Sequence, residues 1–178
     1  MAALKTAFTP SVVIHAWRIV KARQAGTAFD GEGPRLRGGR WNSPGTAVVY
    51  TSQSNSLAVL ETLVHFDRES PLPDLVVISC RFPDQLMSEI DGSALPEHWR
   101  SYPAPPELQQ IGDEWIKSRR SAVLAVPSAI IESERNYLLN PQHSAFGSIE
   151  IGAPQPFAFD LRLLREAASA RPARKPRR

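Results

Sequence analysis

Apolar residues are distributed unevenly along the chain, and their spacing sets out the expected elements. Residues 12–20 are apolar and β-branched enough for a first strand, with Arg18 near its end. Residues 46–52 form a second, short strand. Behind it Ser54 or Asn55 can cap a helix whose apolar positions Leu57, Leu60, Leu63 and Val64 recur at helical spacing. Residues 74–82 are a near-continuous apolar run and predict another strand. Residues 107–120 predict a second helix, with Leu108, Ile111, Trp115 and Ile116 near one face. Residues 122–126 predict a strand ending at Pro127-Ser128, and residues 146–159 one or two more. Two stretches read as irregular. Residues 26–45 hold six glycines and predict a long loop. Residues 83–106 carry five prolines, and this rigid loop is expected to pack through its own Trp99 and Tyr102. Asn140-Pro141 signals a turn, and no repeat is visible.

Strands and helices alternate without the strict rhythm of a doubly wound parallel sheet. The expected class is therefore α+β, a mixed and mainly antiparallel sheet with flanking helices. The length of 178 residues suits one domain, and 42% hydrophobic with 22% charged residues is a globular balance. We expect the domain to occupy residues 1–170, followed by a basic, disordered tail over 171–178. That tail changes the reading of the net charge of +3: Arg171, Arg174, Lys175, Arg177 and Arg178 lie in it, and the rest carries 16 basic against 18 acidic residues. No basic face for nucleic acid is expected on the body. Without a run of about 18 apolar residues, or a signal-like start over Met1 to Pro10, a cytoplasmic location is expected. Cys80 is read as a strand residue. No Cys/His cluster has zinc-ligand spacing, and no metal or cofactor is expected.

Three features could carry chemistry. Arg18 lies in an otherwise apolar strand, where a charge is costly unless it is paired or used. Pro34-Arg35-Leu36-Arg37-Gly38-Gly39-Arg40-Trp41 gathers three guanidinium groups among glycines, a composition suited to phosphate although it lacks both dinucleotide and P-loop spacing. Glu61 falls at the rim of the apolar stripe of its helix, about 40° from Leu57 on the wheel. Each has a plainer reading: a surface ion pair for Arg18, a solvated loop for the arginines, an i,i+4 contact with His65 for Glu61, and a core-filling role for Tyr50. Spacing alone leaves these open.

Trp17-Arg18-Ile19, Gly38-Gly39-Arg40-Trp41-Asn42, Val49-Tyr50-Thr51-Ser52 and Leu57-Ala58-Val59-Leu60-Glu61 follow one another in an order that resembles RES-domain proteins. So do Leu95-Pro96-Glu97-His98-Trp99-Arg100, Gly112-Asp113-Glu114-Trp115, Val126-Pro127-Ser128 and Asn136-Tyr137-Leu138-Leu139-Asn140-Pro141-Gln142-His143. The resemblance implies an ADP-ribosyltransferase-like fold with a cleft for NAD⁺. It also implies the role of toxin in a toxin–antitoxin pair, with a helix-turn-helix antitoxin of the Xre type as partner. On that basis the family's arginine, glutamate and serine fall at Arg18, Glu61 and Ser128. Glu61 is expected to stabilise an electron-poor ribose, Arg18 and Arg40 to hold the pyrophosphate, and Tyr50 to stack beside nicotinamide. Ser128 is expected to position the ribose or the acceptor. NAD⁺ enters as substrate, and the acceptor could be water, phosphate or a protein side chain. Alternatives are ADP-ribose transfer to a cellular protein, or a non-catalytic module that only receives the antitoxin. Asn136, Asn140 and His143 are expected to be structural, His65 to play no acid–base part, and Trp41, Trp99 and Trp115 to pack. Removing residues after Ala170 is expected to leave NAD⁺ consumption intact.

Overall fold

The computed structural model of the chain describes residues 11–66 and 72–164. The expected tail lies outside them, as do both ends of the expected domain. Among the described residues eight strands form one mixed sheet. They are β1 (Val13–Lys21), β2 (Val49–Ser52), β3 (Leu75–Pro83), β4 (Met87–Glu89), β5 (Val123–Pro127), β6 (Arg135–Leu139), β7 (Glu150–Ile151) and β8 (Gln155–Phe157). Their order is β4-β5-β6-β2-β1-β3-β7, and β8 also pairs with β3. Only β4 and β5 run parallel. The expected α+β class, mainly antiparallel, is what the chain adopts.

The long ladder of β1 and β3 runs from Val13↔Pro83 to Lys21↔Leu75. β1 and β2, by contrast, share the single pair Trp17↔Ser52. That narrow seam joins the two halves of the sheet.

The middle of the sheet is covered on both faces, which is why β5 reads as a continuous apolar run rather than an alternating one. Val49, Val123 and Leu139 enter one core with Ala16, Cys80 and Phe82. Their neighbours Leu124, Val126 and Leu138 enter the other, with Trp41, Val48, Leu108 and Trp115. The second core is closed by α3 (Pro106–Ser118), which starts on Pro106 at its first turn, a position where the missing N–H costs nothing. α3 approaches so closely that a Cβ on Gly112 would lie 1.7 Å from the Trp41 carbonyl oxygen. α2 (Asn55–Leu63) packs on β1 and β2. Its N-cap is Ser54, whose Oγ accepts from the Leu57 N–H at 3.0 Å.

Three expectations are corrected. The glycine-rich stretch is not all loop: a 3₁₀ turn covers Ala22–Thr27, and a short helix, α1 (Glu32–Arg37), lies between Gly31 and Gly38. Both glycines have positive φ, 74° and 73°, so each turns the chain sharply at an end of the helix. The proline-rich stretch includes β4 and two 3₁₀ turns. Within it Trp99 does pack against the second core, but Tyr102 is 88% exposed and packs on nothing. Finally, β6 was not expected as a strand, because its first half is polar for a reason the site explains.

Candidate functional site

The site is built where α2 crosses the ends of β2, β5 and β6. Leu57 and Ala58 anchor α2 in the interior, and Glu61, one turn on, shares their face. Its Oε1 accepts two hydrogen bonds, from Ser128 Oγ at 2.9 Å and from Asn136 Nδ2 at 2.6 Å. The i,i+4 contact with His65 is not what holds it, and His65 is exposed.

Ser128 is fully buried just beyond β5. Its Oγ also accepts from the N–H groups of Ile130 and Ile131, at 3.1 and 3.2 Å. Two backbone donors occupy the lone pairs, so the hydroxyl proton is free to go to Glu61.

Asn136 was expected to be structural, and the structure corrects this by placing it on Glu61. It is the Cα partner of Ser52 across β2–β6 and of Val126 across β5–β6. Ser52 Oγ donates to its Oδ1 at 2.8 Å. The sequence signal was faint: an asparagine in Arg135-Asn136-Tyr137-Leu138-Leu139 speaks only once the pairing with β2 is known. Asn140 and His143 behave as expected. Asn140 Oδ1 accepts from the Gln142 N–H, and His143 Nδ1 accepts from the Ala145 N–H.

Tyr50 lies two residues before Ser52 on the same face of β2. Its hydroxyl donates to Asn42 Oδ1 at 2.7 Å and accepts from the Trp41 N–H at 3.0 Å. Burial pushes its ionisation well above the ordinary tyrosine value, against the opposing pull of Arg40 and Arg18. The loop Gly38-Gly39-Arg40-Trp41-Asn42 is thus folded around this ring. A Cβ on Gly39 would fall 2.6 Å from the hydroxyl.

The three arginines of the loop do not form a free cationic cradle. Arg35 is paired with Glu32 at 2.6 Å in the open, a contact of little energetic weight. Arg37 is exposed at the end of α1. Arg40 donates to the carbonyls of Trp99 at 2.7 Å and Ser101 at 3.2 Å, bracing the proline-rich segment. Burial lowers its proton affinity, while the charge of Glu61 and the nearby Tyr50 raise it.

Arg18 belongs to the same neighbourhood but reaches it by the main chain. Since Trp17 pairs with Ser52, strand alternation turns Arg18 toward the side of Ala16 and Cys80. Its Nη1 donates to the Tyr50 carbonyl at 2.6 Å. Its Nε is sealed from solvent and has no acceptor among the described residues. Burial lowers its pKa to about 10, partly offset by Asp30 and Tyr50. The structure therefore brings Glu61, Ser128 and Asn136 into direct contact and sets Tyr50 and Arg40 close by. Arg18 is linked through the backbone of Tyr50. An open, mostly apolar hollow of about 510 Å³ lies elsewhere, between Ala22, Asp74 and Phe157, and none of these site residues lines it. Among the described residues no helix is long and apolar enough to cross a membrane.

A curled, mainly antiparallel sheet with a helix-borne carboxylate held over two strand ends defines an α+β protein with one polar centre. The RES domain model matches residues 15–160, and the chain belongs to that family. It is 40% identical over 148 residues to "Toxin Res" of Yersinia enterocolitica, covering 83% of this chain and 97% of that one. It is 33% identical over 156 residues to "Prs ADP-ribosylating toxin" of a Sphingobium species, covering 85% and 97%. Among solved structures, the M. tuberculosis MbcT–MbcA toxin–antitoxin complex matches with a TM-score of 0.66 at 15% identity, over 83% of this chain and 86% of that chain. That likeness bears on the fold.

Proposed function

We propose that this protein is the toxin of a toxin–antitoxin pair and cleaves the bond between nicotinamide and ribose in NAD⁺. The observation that carries this reading is Glu61, a carboxylate held through one oxygen by Ser128 and Asn136. Cleavage of a glycosidic bond passes through an oxocarbenium-like state, which a fixed negative charge stabilises without having to reorganise. In this reading Glu61 accepts from a ribose hydroxyl and lies against the developing positive charge. The bonding electrons leave with nicotinamide. The acceptor adds to the anomeric carbon and gives up its proton to solvent.

Arg18, linked to the site through the Tyr50 carbonyl, adds positive charge behind Tyr50, of the sign that a pyrophosphate needs. Arg40 adds positive charge and holds the proline-rich segment as one wall. Tyr50 provides an aromatic surface beside the Gly38–Asn42 loop that its hydroxyl organises. Ser128, already committed to Glu61, orients the carboxylate rather than the acceptor. A helix-turn-helix antitoxin of the Xre type is the expected partner, acting by blocking access, and the NAD⁺ pool of the cytoplasm is the expected target.

The test is to incubate the purified protein with NAD⁺, with and without phosphate, and to identify the products by mass. Nicotinamide with ADP-ribose marks hydrolysis, and ADP-ribose 1″-phosphate marks phosphorolysis. NAD⁺ that survives both incubations unchanged refutes cleavage by small acceptors. The relative named as an ADP-ribosylating toxin supports a second reading, transfer of ADP-ribose to a protein. It predicts label from adenine-labelled NAD⁺ retained on a polypeptide.

A further inference from the structure

Asn136 holds an unusual place in this network. It sits on β6, an interior strand, with β2 on one side and β5 on the other. Its amide spans two partners of different chemistry, Ser52 at 2.8 Å and Glu61 at 2.6 Å. An ionised carboxylate can only accept, so the amide must present its NH₂ end to Glu61 and its carbonyl to Ser52. Ser52 is 4% exposed and its hydroxyl has no ready exchange with solvent. With its proton on Asn136 Oδ1, the amide is locked in the orientation that donates to Glu61. The chain Ser52→Asn136→Glu61 thus runs in one direction.

Ser128 meets the same carboxylate oxygen from the neighbouring strand end, and its own orientation is fixed by two backbone N–H groups. Two donors from two rigid sources on one oxygen restrict rotation of the carboxylate about its last torsion, which is otherwise broad. They leave Oε2 uncommitted by either of them. A residue serving only to complete β6 would have no need of a side chain matched to both neighbours.

We propose that Asn136 is a positioning residue that holds Glu61 through Oε1, so that Oε2 is presented to the substrate ribose, with Ser52 keeping the amide's donor end toward Glu61. The role rests on the NAD⁺-cleaving reading for its kinetics, whereas the contact itself is measurable without turnover.

The experiment compares steady-state NAD⁺ consumption of Asn136→Ala, Asn136→Asp and Ser52→Ala, each checked for folding by its thermal midpoint. Loss of a charge-assisted hydrogen bond predicts that Asn136→Ala lowers kcat roughly tenfold or more, with KM within about twofold. Asn136→Asp has the same size but turns an acceptor toward the carboxylate, and it should fall at least as far. Ser52→Ala should lose less, about severalfold, because the amide is freed rather than removed. In a Glu61→Gln background, Asn136→Ala should change kcat by less than about twofold. An Asp variant with near wild-type kcat overturns the proposal. So does an Asn136→Ala loss of equal size with and without Glu61, since that shows an effect through the fold. The side-chain amide signal of ¹⁵N-labelled Asn136 should move on Glu61→Ala. A wild-type protein inert toward NAD⁺ sinks the activity reading alone, and an amide signal indifferent to Glu61→Ala sinks the positioning role.

Discussion

Replacing Glu61 by glutamine removes a charge while keeping a side chain that can make the same two contacts. The glutamine Oε1 can still accept from Ser128 Oγ and Asn136 Nδ2, which now lie 2.9 and 2.6 Å from the carboxylate. Each contact passes from charge-assisted to neutral, roughly 1 kcal/mol weaker apiece. The cost of burying a charge is relieved at the same time. We therefore expect a net destabilisation of about 1 kcal/mol, a thermal midpoint lower by roughly 2–4 °C for a chain of this size. The transition state loses more. An oriented group facing developing charge is worth about 2.7–4 kcal/mol, so kcat should fall by roughly a hundred- to a thousandfold. The assay follows nicotinamide release by chromatography under saturating NAD⁺, alongside a thermal melt. A folded Glu61→Gln variant turning over within tenfold of wild type refutes the assignment of Glu61.

Further outcomes follow from individual contacts. Ser128→Ala deletes one donor to Glu61 and strips the acceptor from the Ile130 and Ile131 N–H groups in a fully buried place; it should cost about 2–4 kcal/mol, read from urea midpoints, and a loss below 1 kcal/mol contradicts it. Gly112→Ala places a Cβ 1.7 Å from the Trp41 carbonyl, whose backbone cannot yield easily; about 3 kcal/mol or failure to fold is expected. The control Gly26→Ala meets nothing within 4 Å, and equal melts for the two variants refute the close approach. Burial pushes the Cys80 thiol from its ordinary 9.0 up to about 12 and drives Tyr50 upward as well. Both groups ionise earlier in the unfolded chain, which then holds fewer protons, so stability falls as pH rises above about 9. Urea midpoints that stay flat between pH 8 and 10.5 rule this out, as does rapid alkylation of native Cys80 at pH 8.

Much of the fold was legible because runs of apolar, β-branched residues mark strands. β1, β3 and β5 announce themselves this way, and α2 carries both its cap, Ser54, and its stripe, Leu57 with Leu60. Two strands lack such a run, β4 because it is short and β6 because it opens on polar residues. β4 has three residues and is held by the parallel partner β5, 36 positions on. β6 opens with Arg135 and Asn136, which face Glu89 and Glu61 rather than a core. Local pattern assigns such residues to a turn, and only the register with β2 makes them strand. The short helix α1 escaped for a different reason, because glycines at its two ends lend the whole stretch a loop composition.

The site was legible by residue type and only partly by geometry. The plain reading of Arg18 was an edge residue paired with a surface carboxylate, and the sheet order removes it: β1 lies between β2 and β3. Its recorded hydrogen bond goes to a main-chain carbonyl, which supplies no countercharge. A guanidinium stays protonated even with its pKa lowered to about 10, so the fold carries an interior positive charge whose Nε has no acceptor among the described residues. Such an arrangement is destabilising by itself. Asp30 offsets part of that cost, and the bond to the Tyr50 carbonyl ties β1 to β2 where the two strands share a single residue pair.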